Sequence, residues 1–380
     1  MSYFNTIISV DNERKKHDLN VASKESQDDI GFLQAIDSTK FGLNLTQIYP
    51  KIPQNYDRWT FTAMSSSGKF QAIIADDYYL QTSSDYGLTW NIRGDIKDWY
   101  EVSISSSGKY QVAVAYYDYI YLSDDYGVTW SAVASSRNWG TVRISASGKY
   151  ITAGVNDGYI YVSSDYGDTW SEKESSRNWY FVAMSSSGKY QTAVVNGGYI
   201  YVSSDYGITW GPITADPSAK DWSGIAISEC GKYQTAVVNG GDMYMSHNYG
   251  ATWMSTGSSD NWYAISMSAS GQYQMAGILG GKISKSSDYG QNWSEIASPS
   301  SILCNGISMS ASGQHQLVST QDGLFFSGYT PSYGGVILPR YDDHPINPSI
   351  GQMYYNNTGN KIIVCTDSGW QTIAFESPPG

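Results

Sequence analysis

The side chains able to do chemistry gather in a few short stretches. Asp76-Asp77-Tyr78-Tyr79 and Tyr116-Tyr117-Asp118-Tyr119 set carboxylates beside phenols, Asp157 follows Asn156, and Glu101 stands directly after Trp99-Tyr100. Two carboxylates about 5–9.5 Å apart in one cleft could split a glycosidic bond, one as acid and the other as nucleophile or base. Tyr beside Asp suits sugar hydroxyls and apolar ring faces equally well, or a protein partner. Exposed loop acids are commoner in an acidic protein than catalytic pairs, so the residues favour binding over catalysis. Asp76, Asp77, Tyr78, Tyr116, Tyr117 and Asp118 are therefore the ligand-binding candidates, and no residue is assigned a catalytic role.

Other chemistries lack their residues. The chain has no G-x-S-x-G, no H-E-x-x-H and no phosphate-binding glycine loop. Cys230, Cys304 and Cys365 are odd in number and lack metal-ligand spacing, which argues against a disulfide framework and for synthesis in a reducing compartment. Neither a metal nor a cofactor is expected. The 380 residues carry 23 Lys and Arg against 35 Asp and Glu, a formal charge of −12, unlike the clustered cations of a protein that tracks nucleic-acid phosphates. No apolar run reaches the length of a membrane span, and the opening MSYFNTIISVDNERKK reverses the order of a secretory signal.

What positions these residues is a repeat. S-x-S-G-K-Y and its variants recur seven times, with glycines at Gly68, Gly108, Gly148, Gly188, Gly231, Gly271 and Gly313, in steps of 40, 40, 40, 43, 40 and 42 residues. A second string, SSDYGLTW and its variants, recurs six times between Ser83 and Trp293. A period of about 40 residues is the length of a four-stranded propeller blade. In the fourth unit an inner strand runs Trp179 to Ser185, and a tight turn follows at Ser186-Ser187-Gly188-Lys189. A second strand runs Tyr190 to Val195 and a third Tyr199 to Ser203, and an outer strand starts at Thr209-Trp210. Asn196-Gly197 between the second and third strands predicts a two-residue type I′ turn with both central φ values positive.

Seven inner strands face six boxes, because after Phe325-Phe326-Ser327 the seventh has decayed to GYTPSYG. Gly42-Leu43-Asn44-Leu45 aligns with Gly87-Leu88-Thr89-Trp90, so the N-terminal segment is expected to supply the missing outer strand and close the ring. The expected fold is all-β. It is a seven-bladed β-propeller of four-stranded blades over 41–329, with a polar N-terminal tail or anchor at 1–40 and a short β-hairpin module at 330–380.

The string S-x-D-x-G-x-T-W resembles the Asp-box, or BNR, repeat of sialidases, sortilin-type receptors, some plant-polysaccharide hydrolases and photosystem assembly factors. The resemblance implies a structural turn between third and fourth strands, away from the ligand face. It makes Asp85, Asp125, Asp165, Asp205 and Asp288 structural, with Asn248 keeping an acceptor in the fifth box. Trp90, Trp130, Trp170, Trp210, Trp253 and Trp293 close boxes, and Trp59, Trp99, Trp139, Trp179, Trp222 and Trp262 open inner strands, so packing is the main expectation for both sets. A sialidase needs three Arg around a carboxylate. Outside the tails this chain has only Arg58, Arg93, Arg137, Arg143 and Arg177, with Arg137 and Arg177 read as solvated loop residues. Cys304 takes a Trp position and Cys230 a Ser position of the repeat, which reads as packing.

The C-terminal Leu338-Pro339-Arg340, Pro345, Pro348, Gly351 to Asn356, the turn Asn357 to Asn360, Lys361 to Thr366 and Gly369-Trp370 resemble the module ending many phage and large-virus fibre or spike proteins. That module is read as one hairpin, too small to stand without docking on something else. At the other end, Ser26 with Asp29 resembles a capping box ahead of Ile30, Leu33 and Ile36. The combined reading is a non-enzymatic structural or adhesive virion surface protein, made in the host cytoplasm. Its propeller displays or binds glycan or protein, and its tails contact other virion or capsid proteins or sister chains. A host glycan or surface receptor is its expected ligand, with no nucleic acid and no membrane span. The alternative is a carbohydrate-active hydrolase using the face opposite the boxes. An assembly factor of the photosystem type is expected to carry an Arg-rich face, absent here.

Overall fold

The computed structural model describes residues 46–49, 59–214, 218–279, 281–296, 304–320 and 323–327, with strands at 340–341, 353–356, 361–366 and 369–373. The chain divides into two compact units, Met1–Gly328 and Tyr329–Gly380.

The first unit is built from four-stranded antiparallel blades. In the first, Trp59–Met64, Gln71–Ala75, Tyr78–Ser83 and Asn91–Lys97 pair in sequence order. The pattern repeats from Trp99 to Arg137 and from Trp139 to Arg177. Second strands such as Gln111–Ala115 and Ile151–Val155 are buried at every residue, because both faces meet a neighbouring blade, and they are accordingly made of small and β-branched side chains. Outer strands such as Ser131–Arg137 are almost wholly exposed and polar. The fourth to sixth blades form one continuous sheet. At its tips Asn196 pairs with Asp221 and Gly198 with Lys220.

Backbone bonds run from blade to blade around the box side of the inner strands. Ser66 N donates to Ser106 O, Ser106 to Ala146, Ala146 to Ser186, Ser186 to Glu229, Glu229 to Ala269, Ala269 to Ala311, and Ala311 N to Ser66 O, all at 2.8–3.0 Å. The last bond returns to the first residue. Upstream, Thr46–Tyr49 pairs antiparallel with Gly323–Ser327, Thr46 opposite Phe326 and Gln47 opposite Phe325. Gly42 to Leu45, the decayed box after Ser327, the tail at 1–40 with its Ser26–Asp29 box, and Ala215 to Pro217 lie outside the described residues.

The glycine of the S-G-K turn is required twice over. Gly148 has φ +83°, and a Cβ there would sit 2.4 Å from the Tyr110 ring of the preceding blade. The tips opposite the boxes differ from the predicted type I′ turn. Only one residue of each has positive φ, namely Asp77, Tyr117, Asp157, Gly197 or Gly240, and Val195 N donates to Tyr199 O across a three-residue loop. Asn196 keeps an ordinary φ because its N–H is already held by Asn178 O at 3.1 Å.

The second unit departs from the expected single hairpin. Arg340–Tyr341 runs parallel to Met353–Asn356, which pairs with Lys361–Thr366, which pairs with Gly369–Ile373. Trp370 lies in a third antiparallel strand opposite Cys365, so the segment is a four-stranded sheet. The size argument for obligatory docking therefore lapses, since three or more strands sharing an apolar face can stand alone.

Candidate functional site

The six boxes lie on one side of their blades. In the fourth blade, Asp205 Oδ1 accepts from Ser203 Oγ and Thr209 N at 2.9 Å each, and Oδ2 from Thr209 Oγ1 at 2.6 Å. Partial burial opposes ionisation, yet these donors outweigh it and hold Asp205 below the usual carboxylate range. Asp85, Asp125, Asp165 and Asp288 accept in the same way. Asn248 accepts from Thr252 N with Oδ1 and donates from Nδ2 to Thr252 Oγ1. Trp210 Nε1 donates to Gly207 O of its own turn, and the same bond recurs at Trp90, Trp130, Trp170, Trp253 and Trp293. The strand-opening Trp99, Trp139, Trp179, Trp222 and Trp262 are buried core residues.

The inner strands line a cavity of about 190 Å³ whose wall includes Thr62, Ser103, Ser266, Ser308 and one charged residue, Arg143. Met64, Ile104, Met184, Met267 and Met309, all at one repeat position, line this cavity and the next one toward the boxes. Phe61 of the first blade meets Phe181 of the fourth at 5.7 Å between ring centroids. Glu101 is wholly buried. It accepts from Val142 N at 2.7 Å and from the Arg143 guanidinium of the next blade. Burial pushes its carboxyl up, and Arg143 opposes this. Glu101 therefore joins two blades and does not converge with Asp76, Asp77, Asp118 or Asp157, which lie at exposed or half-buried tips.

At those tips the candidates separate by role. Asp118 binds Lys97 at 2.9 Å and accepts from Tyr121 Oη and its own neighbour Tyr119 N. Burial opposes these contacts, but they depress Asp118, and hydrogen bonds to Tyr121 and Asp118 raise Lys97 to about 12. Asp118 is thus committed to a cation from the outer strand of the first blade. Arg137 and Arg177 are not free loop cations either, since their guanidinium groups lie 4.7 and 4.8 Å from the ring centroids of Tyr161 and Tyr201.

Tyr116 and Tyr117, in contrast, lie open. Tyr117 is 66% exposed at φ +52°, its ring edge-on to Tyr116 at 4.3 Å, and its carbonyl accepts from Ser136 Oγ at 2.9 Å. Tyr116 stacks on Tyr100 at 6.2 Å, and Tyr116 N donates to Asp98 O. Burial raises the Tyr100 phenol, and neighbouring Tyr180 and Tyr263 from two other blades raise it further. The Asp98 carboxyl is within hydrogen-bonding reach of Asp77, which raises Asp98 together with partial burial. The site so assembled combines Tyr116, Tyr117 and Asp77 with Asp98 and Tyr100, which sequence reading passed over. The signal was present: Asp98 and Asp221 are acids where Asn138, Asn178 and Asn261 stand in three other repeats.

The chain matches the BNR-Asp box repeat over residues 200–213, the fourth box. No curated protein sequence matches it. Among solved structures it is similar to YCF48 bound to D1 peptide, with 16% identity and a TM-score of 0.59 over 76% of this chain and 99% of that one. YCF48 from Cyanidioschyzon merolae gives 15% identity and 0.59, over 75% and 99% respectively. A GH74 xyloglucanase from Xanthomonas campestris gives 13% and 0.60, over 76% of this chain and 54% of that one. The fold is a β-propeller with Asp-box blades. At these identities the likeness carries the fold alone.

Proposed function

We propose that the first unit is a seven-bladed propeller, closed by the N-terminal strand at Thr46–Tyr49, that serves as a non-catalytic binding and display platform. The observation that carries the platform reading is the exposed Tyr116–Tyr117 pair on half-buried Tyr100, beside the contacting Asp77 and Asp98. The acids favour binding over hydrolysis. Glu101 is buried against Arg143, Asp118 is held by Lys97, and contact between Asp77 and Asp98 leaves no room for a scissile sugar bond between them. The virion-surface assignment rests on the resemblance of the tail from Leu338 to Trp370, and detecting the chain in purified particles tests it.

Full-length protein and a Tyr116→Ala/Tyr117→Ala variant, screened side by side on glycan and peptide arrays, test the platform. Ligands retained by the wild type and lost by the variant are expected. Equal patterns for both proteins, or turnover of a polysaccharide such as xyloglucan, would overturn the reading.

A further inference from the structure

In the first three blades the face opposite the boxes is acidic, and its cations are spent. Among the described residues, Asp76, Asp77, Asp95, Asp98, Asp118 and Asp157 stand with Arg93, Lys97, Arg137 and Arg177, the last held over Tyr201. Arg93 donates to Thr82 Oγ1 at 3.0 Å, Lys97 is paired with Asp118, and Arg137 lies flat on Tyr161. The exposed acids Asp77 and Asp98 meet as like charges, a contact that a cation would relieve. Beside them stand aromatic faces. Tyr117 extends outward from a left-handed backbone that other blades give to Gly or Asp, and Asp157 acts on it from the next tip. A β-carbon in that conformation is strained, and an exposed ring recovers little of the cost by burial.

Resting on the platform reading above, we propose that Tyr100, Tyr116 and Tyr117 with Asp77 and Asp98 receive a Lys or Arg side chain, so that this face docks a basic segment of a partner protein. The aromatic faces attract the cation and the paired acids fix its head group. On the box side the lysines of the S-G-K turns lie over Phe70, Tyr110, Tyr150, Tyr190 and Tyr233, so those aromatic faces already carry cations.

The probe is a fluorescein-labelled peptide of alternating Lys and Gly, titrated by anisotropy against the full-length protein, with acetyl-lysine and Glu versions as controls. The Lys peptide should bind about tenfold tighter than either control. Tyr117→Gly removes the ring while relieving the positive φ, so it should weaken the Lys peptide about fivefold and raise Tm. Asp98→Asn, the residue other blades carry there, should weaken it similarly. Asp168→Asn, an exposed acid on the box side, makes the same change in net charge and should leave binding unaltered. No binding of the Lys peptide, wild-type binding by Tyr117→Gly, or equal losses for Asp98→Asn and Asp168→Asn would overturn the inference. If array ligands are lost in the Tyr116→Ala/Tyr117→Ala variant while the Lys peptide does not bind, the platform stands and the basic partner falls. Failure of both removes the platform itself.

Discussion

A carboxylate with no exposed surface keeps its charge only through its partners. Those of Glu101, the Val142 N–H, the Arg143 guanidinium and the Thr141 side chain, all come from the neighbouring blade. Arg143→Met strands that carboxylate and is expected to cost about 3–5 kcal/mol. Glu101→Gln keeps an acceptor for Val142 and should cost about 1–2 kcal/mol. The losses should not add in the double variant, because once Gln replaces the carboxylate there is no buried charge left to strand. Urea denaturation of all three reads this directly, and additive losses would refute the coupling. Glu101 was legible in the sequence as the odd acid of an inner strand. Its role was not, because Arg143 lies 42 residues on in a repeat of about 40, and only the register between blades brings the two together. The same limit hid Asp98, which gains its meaning from Asp77 across a blade junction.

Within a single blade the sequence speaks more clearly, since the box is a local turn whose donors and acceptors lie within four residues. Serine, aspartate, glycine, threonine and tryptophan each have one geometric duty there, and their order predicts the turn. Asp205→Ala should cost about 1–2 kcal/mol, discounted for the partial exposure of the turn. Asp205→Asn should cost less than about half of that, because Asn248 makes the equivalent bonds in the fifth box. Chemical denaturation of the pair would check both, and equal losses would mean that charge rather than acceptor geometry holds the turn. What spacing does not reveal is the box tyrosine. Tyr126, Tyr206 and Tyr249 have positive φ, and each ring meets Phe70, Tyr150 or Tyr190 of the preceding blade at 4.5–4.8 Å. Tyrosine is retained at a position that favours glycine because the ring joins two blades.

Along the repeats the first members of those aromatic pairs form a series with one exception. Phe70, Tyr110, Tyr150, Tyr190, Tyr233 and Tyr273 share a repeat position that His315 fills in the last blade. His315 meets Tyr86 of the first blade at 5.3 Å, and its side chain fills the space beside Gly68. It is 1% exposed, and burial pushes its imidazole down to about 4 from the ordinary 6.5. The unfolded chain therefore takes up a proton at a pH where the folded chain does not. Stability is full above about pH 6.5 and falls as the pH drops toward 4, by about 3 kcal/mol in total. The box aspartates act elsewhere on the pH scale. The folded values of Asp125, Asp165, Asp205 and Asp288 lie below the unfolded carboxylate value, so their contribution is present above about pH 4 and is lost only below it. The two effects are thus separable, and the histidine effect belongs to one contact, that of His315 with Tyr86. His315→Tyr restores the residue used at the other junctions and should flatten the loss between pH 6.5 and 4 while leaving the steeper loss below pH 4. Urea midpoints at neutral pH, pH 5 and pH 4.5 would decide it: parallel declines in the wild type and the variant would show that this contact is not where acid acts first.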